Sequence, residues 1–319
     1  MEFGFGVPSR GPLASLENIV ALAQKGEELG FDIITVSDHI VVPNNIESIY
    51  PYNETGEFTS SQSGEYMEQL TTIAYLAGVT SRIKLLTSVM VLPHRSPVLT
   101  AKMLATIDVL SQGRLIVGCG VGWMEEEFEA IGAPPYAARG AVGNEYLRVF
   151  KELWTSDDPS FEGEYASFSN IAFAPKPVQQ PHPPLWIGGE SPPALRRAGQ
   201  LGDAWYPICS NPQFPVGTLE QFADYQARVR RHAERAGRNV TELDFAYSVN
   251  WYDDTQEQIA DGERRILTGS ATQIAADVDA LEELGVNHLM LNFQGSSLEE
   301  TFDLLASFTE NIRPLTANS

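Results

Sequence analysis

Two apolar segments on either side of a helical pattern restrict what this chain can fold into. Residues 83–92 and 115–119 are almost continuously apolar, which is typical of strands buried on both faces of a parallel sheet. Between them, Ser96 is placed to cap a helix whose first residue is Pro97. The expected buried face of that helix has four apolar residues at helical spacing, Leu99, Met103, Ile107 and Leu110. The stretch therefore predicts a right-handed strand–helix–strand unit.

Strand-like and helix-like segments alternate along the rest of the chain in the same way. Strands are expected at residues 3–7, 31–36, 83–92, 115–119, 183–191, 203–208, 243–251 and 286–293. Insertions are expected after strand 2, after strand 4 (an acidic loop) and before strand 5 (a β-hairpin or extended arm), and residues 253–262 are expected to begin a helical region. This alternation predicts an α/β fold, a (β/α)8 TIM barrel, as a single domain over residues 1–319.

The insertion after strand 2, residues 43–64, is longer than an ordinary connection between a strand and a helix. It is polar, but it carries Tyr50, Tyr52 and Phe58. It follows the carboxyl end of a strand, where barrel enzymes place their functional loops. A lid over a binding site and a surface excursion are both compatible with this composition.

Charge and composition restrict the partners of this chain. Its 319 residues have a formal net charge of −21, which argues against nucleic acid and anionic membranes, because both bind basic surfaces. The N-terminus lacks the basic and apolar regions of a signal peptide, and no apolar run approaches the roughly 18 residues that span a bilayer. The two cysteines provide no disulfide framework. We therefore expect a cytoplasmic protein that binds neither nucleic acid nor membranes.

The sequence lacks the common metal and nucleotide motifs. No two of the five histidines are spaced i,i+4, so no metal site is predicted. Gly118, Gly120 and Gly122 resemble the start of a dinucleotide fingerprint, but Trp123 stands where that pattern requires its last glycine. The chemistry is therefore expected from other groups at the carboxyl ends of the strands, which surround one mouth in a barrel.

Four groups of residues stand at those strand ends. They are Asp38 and His39 after strand 2; Ser88 and Val89 in strand 3; Gly120, Gly122 and Trp123 after strand 4; and Gly188, Gly189, Glu190 and Ser191 after strand 5. The last group resembles an anion site, because glycines expose backbone N–H groups and a helix N-terminus favours negative charge. An ordinary glycine-containing turn is the alternative.

Several blocks of the sequence resemble the bacterial luciferase-like superfamily, and most closely its coenzyme F420-dependent branch. The blocks lie at residues 36–39, 80–83, 87–89, 104–114, 118–123, 175–179, 183–189 and 202–205. They keep the order of the superfamily over most of residues 1–290. The resemblance implies a TIM barrel that holds a flavin or deazaflavin in its mouth.

The resemblance also implies a role for each group at the strand ends. The strand 3 pair matches a non-prolyl cis peptide bond behind the cofactor ring, the glycines after strand 4 leave room for the ring, and the turn after strand 5 matches a phosphate-binding turn. His39 would face the ring near its hydride-bearing carbon as the catalytic proton donor or acceptor. The implied cofactor-binding residues are Asp38, His39, Ser88, Val89, Gly120, Gly122, Gly188, Gly189, Glu190 and Ser191.

One departure from the superfamily pattern concerns the substrate. F420-dependent sugar-phosphate dehydrogenases of the superfamily carry a catalytic glutamate where this chain has Trp123, and the lysine that holds the sugar phosphate is missing around residues 210–211. A glucose phosphate is therefore not the expected substrate. The expected substrate pocket is apolar or aromatic and contains Trp123, Tyr50, Tyr52 and Tyr206. Each of these aromatic residues is equally compatible with a core position, as is Trp205.

Three functions remain open on this basis. The first is an F420-dependent oxidoreductase that transfers a hydride between the deazaflavin and a small organic substrate. The second is an FMN-dependent luciferase-like monooxygenase that uses O2 and reduced flavin from a partner reductase. The third is a non-catalytic protein that binds flavin or deazaflavin, although the Asp38–His39 pair speaks against it. Luciferase-like barrels often form homodimers, and a homodimer is compatible with this sequence.

Overall fold

The computed structural model describes residues 1–58, 66–260 and 262–317 of the chain. Within these residues, eight parallel strands form a closed barrel in which β1 pairs with both β2 and β8. The strands are β1 (Glu2–Gly6), β2 (Ile33–Val36), β3 (Lys84–Thr87, resuming at Met90–Val91), β4 (Leu115–Gly120), β5 (Leu185–Gly188), β6 (Ala204–Tyr206), β7 (Asp244–Val249) and β8 (His288–Leu291). The predicted TIM barrel is confirmed.

Helices surround the barrel. They are α1 (Leu16–Glu28), α2 (Gln69–Val79), α3 (Pro97–Leu110), α4 (Glu125–Ala130), α5 (Arg139–Thr155), α6 (Pro192–Leu201), α7 (Leu219–Arg235), α8 (Ala271–Glu283) and α9 (Leu298–Ser307). Ser15 caps α1 by accepting a hydrogen bond from the Asn18 N–H. Pro97 begins α3 as predicted, but the Ser96 side chain makes no capping hydrogen bond. Among the described helices, none is long and apolar enough to cross a membrane.

The three predicted insertions are present. The first follows β2, and its residues 59–64 lie outside the described part of the chain. The second follows β4 and contains α4, so the acidic segment expected to be a loop is partly helical. The third precedes β5 and contains an antiparallel pair, Phe161–Glu162 with Ser167–Phe168.

The predicted buried face of α3 is only partly correct: Ile107 is 3% exposed and Met103 packs against the core, but the other two residues do not. Leu99 and Leu110 are 58% and 57% exposed, whereas Ala101, Leu104 and Ala105 are fully buried. Apolar residues occur all around this helix, so helical spacing alone could not identify which side packs on the barrel.

The helical start expected at residues 253–262 is also wrong. This segment leads into an antiparallel pair, Ile259–Ala260 with Glu263–Arg264. The Asp253 side chain accepts hydrogen bonds from the Thr255 and Gln256 N–H groups, a local turn that competes with helix formation.

The inside of the barrel has a small apolar core of its own. Its buried residues come from seven strands and are Ile33, Leu86, Ile116, Trp186, Ala204, Tyr206, Ala246 and Met290. Val89, in the interruption of β3, packs against this core while remaining only partly buried. The interruption therefore lies where the interior core meets the barrel mouth.

The opposite, amino-terminal end of the barrel contains a partly buried charge network around His288. Its Nδ1 lies 2.9 Å from a Glu2 carboxylate oxygen, and its Nε2 lies 2.8 Å from an Asp244 oxygen. Lys84 also pairs with Glu2, at 2.6 Å. Burial opposes the charge on His288, but the two carboxylates outweigh it and raise the pKa of this histidine. The same contacts outweigh burial at Glu2 and lower its pKa to about 2.

We expect this network to make stability depend on pH. Because the folded-state pKa of His288 is raised, its stabilisation is complete below about pH 6.5, the ordinary pKa of histidine, and is lost as pH rises through the raised value. His288→Gln should lower the free energy of unfolding by about 1–3 kcal/mol at pH 6 and flatten its decline above neutral pH. Urea unfolding across this range measures both effects. His232→Gln, in α7, is the control and should keep the wild-type dependence of the free energy of unfolding on pH. If His288→Gln shows the wild-type dependence as well, the role given to His288 is wrong.

Candidate active site

The interruption of β3 places strand 3 very close to its neighbours. The Ser88–Val89 peptide bond is cis, as the resemblance implies. A Cβ added at Gly120 would lie 2.6 Å from a Val89 methyl, and one at Gly118 would lie 2.0 Å from the Thr87 carbonyl oxygen. Glycine is therefore required in β4 because the backbone and side chains of β3 occupy the space.

Two further glycines near the mouth are also constrained by the protein. Gly122 has a φ of +84°, and a Cβ there would lie 2.6 Å from the Phe128 ring. A Cβ at Gly188 would approach a Val89 methyl to 3.1 Å. Packing within the protein thus accounts for these glycines, and the room they leave for a cofactor ring stays a prediction.

Asp38 forms a buried ion pair. Its carboxylate accepts two hydrogen bonds from Arg95, both at 2.8 Å, and one from the Val91 N–H at 2.9 Å. Arg95 in turn pairs with Glu68 at 2.7 Å. Asp38 therefore ties the end of β2 to the resumed part of β3, a position suited to fixing the backbone of His39. Direct contact between Asp38 and a cofactor stays a prediction.

His39 is held by a residue that the sequence analysis did not single out. Its Nδ1 lies 2.8 Å from the carboxylate of Glu127, on α4. The other Glu127 oxygen accepts hydrogen bonds from the Ile40 and Val41 N–H groups, at 2.7 and 3.3 Å. Glu127 is 1% exposed; burial raises its pKa, but the hydrogen bond and charge of His39 outweigh burial and lower it. An ionised carboxylate is thus fixed behind the imidazole.

The orientation of His39 leaves its other nitrogen available. Among the hydrogen bonds formed within the described ranges of the chain, none uses Nε2 of His39. The imidazole ring contacts Tyr66 and Phe58, with centroid distances of 4.9 and 5.3 Å. A histidine fixed at Nδ1 can exchange a proton at Nε2 with a bound molecule.

A helical signal around Glu127 was present in the sequence. Met124 and Phe128 are four residues apart and both buried, at 1% and 2% exposure. This spacing marks the inner face of a short helix, and Glu127 lies beside Phe128 on it. Three consecutive acidic residues hid the signal, since such runs usually face solvent.

An aromatic wall, formed by Tyr50, Tyr52, Phe58 and Trp123, covers His39. Trp123 contacts both Tyr50 and Phe58 at 5.1 Å between ring centroids and lies 6.4 Å from the His39 ring. Tyr52 contacts Tyr50 at 5.6 Å. The structure thus brings three of the four predicted pocket residues together.

The fourth predicted pocket residue, Tyr206, lies elsewhere. It is 4% exposed inside the barrel, where its hydroxyl and that of Ser88 are 2.9 Å apart. Burial raises its pKa. Tyr206 therefore contacts the interruption of β3 from inside the barrel, through Ser88. Trp205 is fully buried between β6 and α7, against Phe222.

The turn after β5 precedes α6. Gly189 has a φ of +102°, and its carbonyl accepts a hydrogen bond from Nε1 of Trp205. The Ser191 hydroxyl caps no helical N–H group. Pro192 and Pro193 open the helix and have no N–H, so donors for an anion must come mainly from the turn itself.

Glu190 points its side chain away from this helix end. Its carboxylate accepts hydrogen bonds from the Ile208 N–H at 2.8 Å and from Asn211 Nδ2 at 2.9 Å. Burial, only partly opposed by these bonds, raises the pKa of Glu190 to about 7. Phosphate binding by this turn, with Glu190 as one of its residues, stays a prediction.

Glu126, next to Glu127, holds the first insertion in place. One of its carboxylate oxygens accepts hydrogen bonds from the Glu47 and Ser48 N–H groups, at 2.7 and 2.9 Å. The Ser48 hydroxyl accepts a hydrogen bond from the Glu125 N–H at 3.0 Å. The segment that carries Tyr50 is therefore anchored on α4.

The closed barrel with its surrounding helices defines an α/β-barrel protein. More specifically, the chain belongs to the luciferase-like monooxygenase family, whose model matches residues 1–260. It is 30% identical over 281 residues to the FMNH2-dependent dimethylsulfone monooxygenase of Pseudomonas putida, covering 74% of this chain and 76% of that protein. It is 25% identical over an alignment of 338 residues to the F420-dependent glucose-6-phosphate dehydrogenase of Amycolatopsis mediterranei, covering 93% of each.

Solved structures agree on the fold. The monooxygenase RslO1 from Streptomyces bottropensis matches with a TM-score of 0.76 at 22% identity, covering 98% of this chain and 99% of that one. An F420-dependent secondary alcohol dehydrogenase matches with a TM-score of 0.74 at 18% identity, covering 98% of both chains. By name, some relatives depend on F420 and others on FMNH2.

We expect Glu126→Ala to loosen the first insertion. Loss of the two hydrogen bonds to a charged acceptor should raise hydrogen–deuterium exchange at the Glu47 and Ser48 amides by about 10-fold or more. Glu129→Ala, an exposed position on the same helix, is the matched control and should leave exchange unchanged. Equal exchange in the two variants would contradict the anchoring role.

Proposed function

We propose that the chain is a coenzyme F420-dependent oxidoreductase that transfers a hydride between the deazaflavin and a small organic substrate. The observation that carries this proposal is the buried Glu127 carboxylate 2.8 Å from Nδ1 of His39, at the barrel mouth. Hydride exchange at a carbonyl or alcohol carbon requires a matching proton transfer at oxygen, and a histidine held by a carboxylate supplies such a group.

The residues at the mouth fit a flavin-like cofactor. Val89 presents its side chain above the interior core, which offers an apolar backing for a flat ring. Gly189, with its positive φ, and Ser191, with its free capping position, offer a turn for a phosphate group. The bound deazaflavin would supply or accept the hydride.

The protein groups then have separate tasks. Glu127 fixes the orientation of His39 through its Nδ1. His39 gives a proton to the substrate oxygen from Nε2, or takes one in the reverse direction. Asp38 holds the adjoining backbone through Arg95. The aromatic wall limits water around the reacting groups.

The aromatic wall favours an apolar or aromatic substrate. Trp123 occupies the position where the resemblance expects a catalytic glutamate in sugar-phosphate dehydrogenases, and it packs on Tyr50 and Phe58. These surfaces bury apolar groups and offer no charge to a sugar phosphate. We therefore propose that the similarity to a glucose-6-phosphate dehydrogenase does not extend to its substrate.

An FMN-dependent monooxygenase supplied with reduced flavin by a partner reductase is the second candidate. It is favoured by the 30% identity to a relative named as FMNH2-dependent. Isothermal titration of the purified protein with each coenzyme separates the candidates. We expect F420 to bind with a dissociation constant on the order of micromolar and FMN to bind more weakly. Micromolar FMN binding without F420 binding would replace the first proposal by the second.

His39→Ala should leave the fold intact and reduce cofactor-linked turnover by roughly 10²–10⁴-fold, the effect expected of a proton-transfer group. Cofactor absorbance, followed across a substrate panel, measures turnover, and titration checks that the cofactor still binds. His232→Ala, outside the barrel mouth, is the matched control. Unchanged turnover in His39→Ala would remove His39 from the mechanism.

No absorbance change with any substrate in the wild-type protein would favour the third function, a non-catalytic protein that binds flavin or deazaflavin.

A further inference from the structure

A second histidine lies on the other side of Glu127. His94 ends the short 3₁₀ turn Leu92–His94 that follows β3, and it is 8% exposed. Its Nδ1 is 3.8 Å from the Glu127 oxygen that does not contact His39. Its ring packs edge-on against Phe128, with centroids 4.8 Å apart. Glu127 is therefore placed between two imidazoles.

Both ring nitrogens of His94 are buried without a hydrogen-bond partner in the part of the chain that the structure describes. Buried polar atoms in proteins almost always have a partner, so this ring calls for an explanation. A Glu127 oxygen lies 3.8 Å from Nδ1, and a shift of about 1 Å would bring the two atoms to hydrogen-bond distance.

The surroundings of His94 favour a neutral ring, chiefly through burial. Burial lowers its pKa, and the positive charges of Arg95 and His39 act in the same direction. The negative charges of Glu127, on α4, and Asp38, after β2, oppose this without cancelling it. A neutral imidazole keeps one N–H group, which can donate to a carboxylate.

We propose that His94 is a positioning residue that shares Glu127 with His39. While His39 is protonated, Glu127 serves as its counter-ion. When His39 gives its Nε2 proton to the substrate, it becomes a neutral imidazole and keeps its Nδ1 proton. His94 then donates its Nδ1–H to the other Glu127 oxygen and stabilises the buried charge. No proton passes between His94 and Glu127, and the reverse reaction reverses these changes.

The role in turnover rests on the proposed function, whereas the hydrogen bond does not. It can be tested in the cofactor-free protein labelled with 15N-histidine, by two-bond 1H–15N correlation at about pH 8, above the ordinary titration range of histidine. We expect the His94 signal, assigned with His94→Asn, to report the Nδ1–H tautomer. Glu127→Gln, which puts an amide near this nitrogen, should remove that preference. An Nε2–H tautomer of His94 in the wild-type protein would overturn the proposal.

Two substitutions then test the role in turnover. His94→Leu keeps apolar packing on Phe128 but removes the donor, and it should lower turnover by about 10-fold and change its pH profile while cofactor affinity stays constant. His94→Asn keeps an N–H donor near the position of Nδ1 and should restore most of the rate. Equal rates and pH profiles in His94→Leu and the wild-type protein would overturn the positioning role. If no cofactor supports turnover in the wild type, the proposed function fails, and the tautomer measurement still decides whether the hydrogen bond exists.

Discussion

The buried carboxylate of Glu127 connects most of what is distinctive about the barrel mouth. One oxygen contacts His39, and the other accepts hydrogen bonds from Ile40 and Val41, the residues that begin the first insertion. Its neighbour Glu126 continues this attachment at residues 47 and 48. The orientation of the candidate catalytic histidine and the course of the aromatic segment above it thus depend on the same short helix. A charge buried this deeply needs such partners, because desolvation alone would favour its protonation.

A second dependence runs between the barrel strands. The interruption of β3 brings Val89 close to β4 and β5. Only glycine fits at position 120 of β4, and a side chain at position 188 of β5 would have little room. The presence of several glycines at a strand end is often explained by a ligand that lies close to the backbone. Here much of the requirement comes from protein packing, because Val89 fills the space beside these glycines and packs against the interior core.

The two ends of the barrel use charge differently. At the amino-terminal end, His288 is paired on both nitrogens with carboxylates, which favours a rigid, charged network. At the mouth, His39 is paired on one nitrogen, while neither nitrogen of His94 has a hydrogen-bond partner among the described residues. This difference follows the division of α/β barrels into an end that stabilises the fold and an end that carries chemistry.

The order of strands, the closed barrel, the three insertions and the position of His39 at a strand end follow from the sequence by itself. Apolar runs and the turn residues between them are local signals, so they indicate the same strands and helices whichever other elements pack around them. The tertiary structure alone decided which side of α3 packs, that Tyr206 lies inside the barrel while Tyr50 and Trp123 form the wall, and that Glu127 is the partner of His39. Glu127 and His39 are 88 residues apart, and a contact over such a distance depends on how helices and strands pack, which no local spacing encodes.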